Sequence, residues 1–270
     1  MATKIAALNR AQVEAQWPWL VVGGAWILAV GATLTGQRFL IDHHFLLEES
    51  GFPWPLAMAV FLIGWQVMLV AMMGPSSIPF AGASIAPTAT TTGQGNPHPQ
   101  RALATFFAAY ALLWTVFGAF AFAGDTLIHH SIDAWPWLAE HAYLIGATTF
   151  ALAGLYQFSR WKKYALARCR IQHMRVSVGM MRGAASSWRP GLRHGADSLG
   201  CCWALMLVMF GIGVGELGWM AVLTAMMVAE TLLPDEVHSR RACHLIGVAF
   251  FMLAGLWLIH PAWLVPITAS

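Results

Sequence analysis

Residues 191–230 read GLRHGADSLGCCWALMLVMFGIGVGELGWMAVLTAMMVAE. The adjacent cysteines Cys201 and Cys202 open a long apolar run within this stretch. A run of about 20 apolar residues is what an α-helix needs to cross a membrane. On such a helix Cys202, Met206 and Met209 fall at i, i+4 and i+7 and share one face. The stretch therefore predicts a transmembrane helix with a sulfur-rich face.

The composition extends this prediction to the whole chain. Of its 270 residues, 58% are hydrophobic and only 10% are charged, whereas a soluble domain carries about 25% charged residues. Seven apolar segments are predicted to span the membrane: residues 17–35, 55–79, 102–123, 135–158, 198–214, 217–233 and 244–260. We expect an all-α, polytopic membrane helix bundle that forms one membrane-embedded domain over residues 1–270.

The basic residues predict how the bundle is oriented. Nine of the 15 Lys and Arg side chains lie between Arg160 and Arg193, inside a basic segment of residues 159–197. A cytoplasmic N-terminus leaves only Arg38 outside, as the positive-inside rule requires. This distribution predicts that residues 160–193 face the cytoplasm, with anionic lipid rather than nucleic acid as their partner. The first half of the segment is expected to form an amphipathic helix on the membrane surface.

A proline and two polar segments predict where the helices bend or end. Pro75 is expected to kink or end its helix, because proline cannot donate to the carbonyl group four residues earlier. Ser76, Ser77 or a neighbouring helix must then satisfy the freed carbonyl groups. The polar residues 36–53 and 124–134 are expected to form outer loops.

The predicted topology places all four cysteines on the cytoplasmic side, where thiols stay reduced. Thiolates and thioethers are the ligands that Cu(I) prefers. The candidate inner metal site comprises Cys201, Cys202, Met206, Met209, Met72, Met73 and His194. The alternative is plain packing, because buried Cys and Met commonly fill apolar cores.

A second candidate set lies on the outer side. His43 and His44 occupy one predicted loop and His129 and His130 another, each pair with acidic neighbours. Imidazole and carboxylate together suit Cu(II), zinc or iron. The alternative is that these loops are polar because they meet water.

Several segments also carry a family resemblance: residues 68–76, 193–195, 199–206 and 219–221. Together they resemble the signature of a bacterial family called "predicted metal-binding integral membrane proteins", a domain of unknown function. The resemblance implies a metal-binding protein embedded in the bacterial cytoplasmic (inner) membrane. The chain resembles a divergent member, because Ala165 and Ser198 stand where that family often has cysteines.

The favoured function is therefore an integral membrane protein that binds or traffics a metal, with copper favoured over zinc or iron. The sequence contains no phosphate-cradling loop, nucleophile elbow or His-Glu-x-x-His motif, so no catalytic residue is predicted and an enzyme is disfavoured. Two alternatives remain open. One is a non-catalytic accessory subunit of a larger membrane complex, and the other is a haem- or quinone-dependent redox protein.

Overall fold

The computed structural model describes residues 16–36, 45–85, 99–175, 184–212, 216–233 and 236–259. All regular structure in these ranges is helical. The α-helices are α1 (Trp17–Leu34), α2 (Trp54–Ile85), α3 (Pro99–Ala134), α4 (Pro136–Glu140), α5 (Tyr143–Phe158), α6 (Arg160–Arg175), α7 (Ala184–Ile212), α8 (Leu217–Leu232) and α9 (Glu236–Ile259), and a π-helical turn (Phe45–Glu49) precedes α2.

The helices confirm the predicted membrane bundle. Among the described residues, α1, α2, α3, α7 and α9 are long and apolar enough to cross a membrane. Helix α8 is apolar but shorter, at 16 residues. The predicted span 135–158 divides instead into α4 and α5, with a turn at His141 and Ala142. The expected count of seven full-length spans is therefore matched only in part.

The predicted outer loop at residues 124–134 is wrong, because α3 continues through it to Ala134. Polar side chains do not end this helix. The hydroxyl groups of Thr126 and Ser131 donate to backbone carbonyls four residues earlier, at 2.9 and 2.7 Å. The break comes at Pro136, whose preceding residue Trp135 is extended, as the residue before a proline tends to be. Hydropathy therefore predicted the apolar part of α3 but not its polar C-terminal part.

Helix α2 passes through Pro75 and Pro79 without ending. Pro75 frees the carbonyl oxygen of Ala71, and the indole Nε1 of Trp26 in α1 donates to that oxygen at 3.1 Å. The Ser76 hydroxyl donates to the Met73 carbonyl at 2.9 Å. The expectation that a neighbouring helix satisfies the carbonyl freed at Pro75 is therefore confirmed.

Helices α3 and α7 form an extensive interface. Gly191 makes it possible, because a Cβ there would lie 2.4 Å from the carbonyl oxygen of Phe106. Small residues allow helix backbones to approach closely in membranes. The Tyr110 and Ser198 hydroxyl groups join the same two helices at 2.8 Å. This contact fixes the register of α7 and so the positions of its cysteines.

The first half of the basic segment forms α6, which packs against α7, α8 and α2. Lys162, Ala165, Leu166 and Cys169 are buried at i, i+3, i+4 and i+7. One face of α6 is therefore covered by the bundle instead of lying free on the membrane surface. The opposite face, including Lys163, is exposed.

The close approach at Gly191 predicts a large cost for one added methyl group. We expect Gly191→Ala to lower the free energy of unfolding by about 1–3 kcal/mol, because α3 and α7 must move apart. Unfolding in a dodecyl sulfate titration measures the change. Gly255→Ala in α9 is the matched control, since a Cβ there meets no atom within 4 Å. Equal stability of the two variants would contradict this account of the interface.

Candidate metal centre

A small cavity lies where α2, α6, α7 and α8 meet. Its volume is about 10 Å³, roughly the room of one water-sized atom or ion. The lining residues are Ser76 of α2, Cys169 of α6, His194, Ser198, Cys201 and Cys202 of α7, and Thr231 of α8. Sulfur, imidazole and hydroxyl groups from four helices therefore surround a single small space.

Three thiols converge at this cavity. The Sγ atoms of Cys201 and Cys202 lie 3.1 Å apart, and the Sγ atoms of Cys169 and Cys201 lie 3.9 Å apart. Two sulfur ligands at about 2.3 Å from one tetrahedral ion lie roughly 3.8 Å apart. All three residues are buried, and none of them is in a disulfide. The Cys169–Cys201 separation is therefore one that a single bound ion could bridge.

Basic side chains on either side of Cys169 join α6 to α7 and α8. These contacts position Cys169 at the cavity. The Arg168 guanidinium lies 2.8 Å from the Asp197 carboxylate of α7. Arg170 donates to the carbonyl oxygen of Leu233, at the end of α8. Two basic side chains of α6, one on each side of Cys169, thus bind to neighbouring helices.

A buried ion pair also joins α6 to α8. The Lys162 Nζ atom lies 2.6 Å from the Glu230 Oε2 atom, and the two side chains are 1% and 0% exposed. Burial lowers the pKa of Lys162, and the interactions with Glu230, Cys202 and Cys201 together more than offset this effect, so the pKa is raised. The Cys201 and Cys202 thiols lie within electrostatic range of the same ammonium group. A charged lysine therefore lies within electrostatic range of two cavity thiols without lining the cavity itself.

Lys162, Glu230 and Cys169 were not among the site residues predicted from the sequence. A signal was available for each. Lys162 shares the i, i+3, i+4, i+7 pattern of the buried face of α6, and Glu230 continues the buried positions Met220, Leu223 and Met227 of α8. A charged residue at a core position of an amphipathic pattern predicts a buried partner, because an unpaired charge is too costly there.

His194 lines the cavity, and its part as a metal ligand stays a prediction. It is 4% exposed, and its ring stacks on Phe80 with centroids 4.1 Å apart and planes inclined by 2°. The Tyr110 ring lies on it as well, with centroids 5.5 Å apart. Aromatic packing thus holds the imidazole in one orientation beside the cysteines.

The four selected methionines lie deeper in the core. Met72 and Met73 on α2 and Met206 and Met209 on α7 are at most 1% exposed. They belong to the same apolar core as Cys201 and Cys202 but not to the lining of the small cavity. Their part as ligands stays a prediction.

The outer histidines are placed only in part. His43 and His44 lie outside the described residues. His129 has its Nδ1 atom 3.6 Å from the Asp125 carboxylate and 2.9 Å from the Asp125 carbonyl oxygen, while His130 is exposed on α3. Their part in metal binding also stays a prediction.

The donor set favours a soft monovalent ion. Within the described ranges, no group of three or more His, Cys, Asp or Glu side chains is placed to hold a metal ion as the side chains stand. Structural zinc sites have four ligands in tetrahedral geometry, and that arrangement is absent from the described residues. Soft thiolate ligands select Cu(I), and two thiols with a third nearby suit an ion that accepts low coordination numbers.

Comparison with known families supports the same metal. The family PpoB2, described as copper chaperone, matches residues 62–258. The chain belongs to this family. The match covers α3 to α8 entirely and every candidate ligand except His43 and His44. No curated protein and no solved structure matches the chain.

Membership of the copper chaperone family confirms that the protein is metal-related, as the sequence resemblance implied, and supports a copper-related function. The specific family named by that resemblance is not confirmed. A protein that handles copper as cargo must bind the ion and also release it. A few soft ligands serve that task better than a closed four-ligand site.

The buried ion pair predicts an unequal response to single and double substitution. Lys162→Met leaves Glu230 as an uncompensated buried charge, so we expect a loss of about 3–5 kcal/mol in unfolding free energy. Lys162→Met with Glu230→Gln removes both charges and should recover most of that loss. Dodecyl sulfate titration of the purified variants measures both changes. A double variant as unstable as the single one would show that the two charges are not coupled.

Proposed function

We propose that this protein is an integral membrane copper chaperone that binds Cu(I) through the thiolates of Cys201, Cys202 and Cys169, with the Cys169–Cys201 separation being the one that fits a bound ion. The observation that carries the proposal is the convergence of these three buried thiols, 3.1 and 3.9 Å apart, on a cavity of one-ion size. Family membership supports copper as the cargo.

The surroundings of the thiols favour Cu(I) over harder ions. Zinc and iron commonly add nitrogen or oxygen ligands or water to complete their coordination, and the cavity is buried and small. Cys201 and Cys202 open the apolar part of α7, so a bound ion is shielded from water on the membrane side. A cytoplasmic position for this end of α7 keeps the thiols reduced.

The remaining candidate ligands extend the proposal. His194 borders the same cavity and is a further ligand on the α7 side. Met72, Met73, Met206 and Met209 are thioether ligands of lower affinity deeper in the core. His43, His44, His129 and His130 form a separate outer group that binds copper before or after passage.

We further propose the bacterial inner membrane as the location, with anionic lipid against the exposed basic residues. Those residues are Arg160, Lys163, Arg189 and Arg193. They lie at the end of the bundle where α6 and the first part of α7 pack together, and such clusters attract anionic headgroups. The accessory-subunit and haem or quinone interpretations stay predictions from the sequence.

Copper content tests the thiol site. We expect about one Cu(I) per chain after anaerobic loading and desalting of the protein in mild detergent. Cys201→Ser with Cys202→Ser should abolish this retention, because hydroxyl groups are poor ligands for a soft ion. Elemental mass spectrometry measures copper per chain.

Cys243→Ser provides the matched control. Cys243 is also a buried cysteine, but it does not line the cavity, so copper content should stay unchanged. Normal retention by the Cys201/Cys202 double variant would contradict the proposed site. Cys169→Ser should weaken binding without abolishing it, since two thiolates remain.

A further inference from the structure

A groove of about 700 Å³ lies between α3 and α5, over a part of α7 that these two helices leave uncovered. Its lining includes Phe117 and Ile128 of α3, Ile145 and Leu152 of α5, and Leu138 of α4. Sites for small molecules commonly have volumes of about 300–1,000 Å³ and mostly apolar walls. The groove is separate from the thiol cavity, because no described residue lines both.

The groove opens toward lipid. Helices α3 and α7 are long and apolar enough to cross a membrane, and Phe120 on the lining is 75% exposed. The lining begins at Trp203, one residue after the adjacent thiols of α7, and reaches Asp125 on α3. Asp125 lies about four turns beyond Tyr110, which binds Ser198 at the thiol cavity. The groove therefore extends along the bundle away from the cysteines.

The size of the groove suits a flexible chain better than a helix. An α-helix about 10 Å across that rises about 1.5 Å per residue occupies roughly 120 Å³ per residue. A volume of 700 Å³ therefore holds about six helical residues, which is fewer than two turns. A membrane-spanning helix has about 20 residues. A lipid acyl chain is apolar and flexible, so it can follow the groove.

The charge at the far end of the groove is acidic. Asp125 is the one residue with a formal charge among the described lining residues. Asp133 and Glu140 are exposed nearby in the chain, and residues 102–159 contain neither lysine nor arginine. His129 lies 3.6 Å from the Asp125 carboxylate, and a carboxylate can accept hydrogen bonds from several donors at once. This end therefore attracts an ammonium group and repels an anionic one.

We propose that the groove is a binding site for one phosphatidylethanolamine molecule. An acyl chain lies on α7 between α3 and α5, and the headgroup ammonium lies beside Asp125. Phosphatidylglycerol, which has a net negative charge and no ammonium group, binds less well. The bound chain fills the space between α3 and α5 and so completes the packing around the part of α7 that follows the thiols.

Native mass spectrometry tests the site. The purified protein in mild detergent is stripped of lipid and titrated with phosphatidylethanolamine or phosphatidylglycerol that have the same acyl chains. We expect one tightly retained phosphatidylethanolamine per chain and weaker retention of phosphatidylglycerol. Asp125→Asn should reduce this preference by about two- to fivefold, which is the effect of one partly exposed ion pair.

Filling the groove should remove the lipid. A Cβ at Gly124 meets no atom within 4 Å, so Gly124→Phe places its ring in the groove without a clash at the backbone. Leu152→Trp enlarges the opposite wall, on α5. Both variants should lose the retained lipid. Gly255→Phe is the matched control, since Gly255 is also half-buried with open space at its Cβ but does not line the groove.

Three results would overturn the proposal. The first is equal lipid retention by Gly124→Phe, Leu152→Trp and Gly255→Phe. The second is equal retention of the two lipids by the unmodified protein. The third is a dimer in the same spectra that Gly124→Phe dissociates, because the occupant would then be a second copy of the chain. None of these measurements depends on copper, so the lipid site and the thiol site are tested separately.

Discussion

The site depends on the buried ion pair between Lys162 and Glu230. Burying two charges is costly, and their attraction offsets that cost only when the geometry is close, as at 2.6 Å here. The pair can form in one register of α6 against α8. That register brings Cys169, two turns further along α6, to the thiols of α7. A purely apolar contact would allow α6 to slide, whereas this one specifies where its cysteine lies.

A second constraint acts on α7. Gly191 lets the polar start of that helix lie directly on the backbone of α3, and the Tyr110–Ser198 hydrogen bond fixes the contact. His194 is then held against Phe80. The thiol cavity is thus bordered by two helices whose positions are set independently, α7 by close packing and α6 by charge. Substitution at either contact should disturb the same sulfur separations.

The helix bundle was predictable from the sequence, but the lengths of its helices were not. Apolar runs report the free energy of placing side chains in lipid, so they locate the apolar core of each helix. Backbone hydrogen bonding continues beyond that core wherever nothing interrupts it, as in α3 up to Ala134. Proline was an unreliable stop signal for a related reason. At Pro75 the freed carbonyl found a donor in Trp26, and at Pro136 a new helix began.

The site was predictable only where its chemistry is visible in residue types. The sulfur residues of α7 and His194 attracted attention because soft ligands cluster there in sequence. Cys169 lies 32 residues from Cys201, and only the docking of α6 makes them neighbours. From the sequence, Lys162 was expected to be one of the basic residues that face anionic lipid, because basic residues near a membrane usually lie at its cytoplasmic surface.

The arrangement also explains why so few ligands suffice. A site that retains its metal for structure gains from four ligands and rigid geometry. A site that passes its metal on must let an incoming ligand compete, which a two- or three-sulfur site permits.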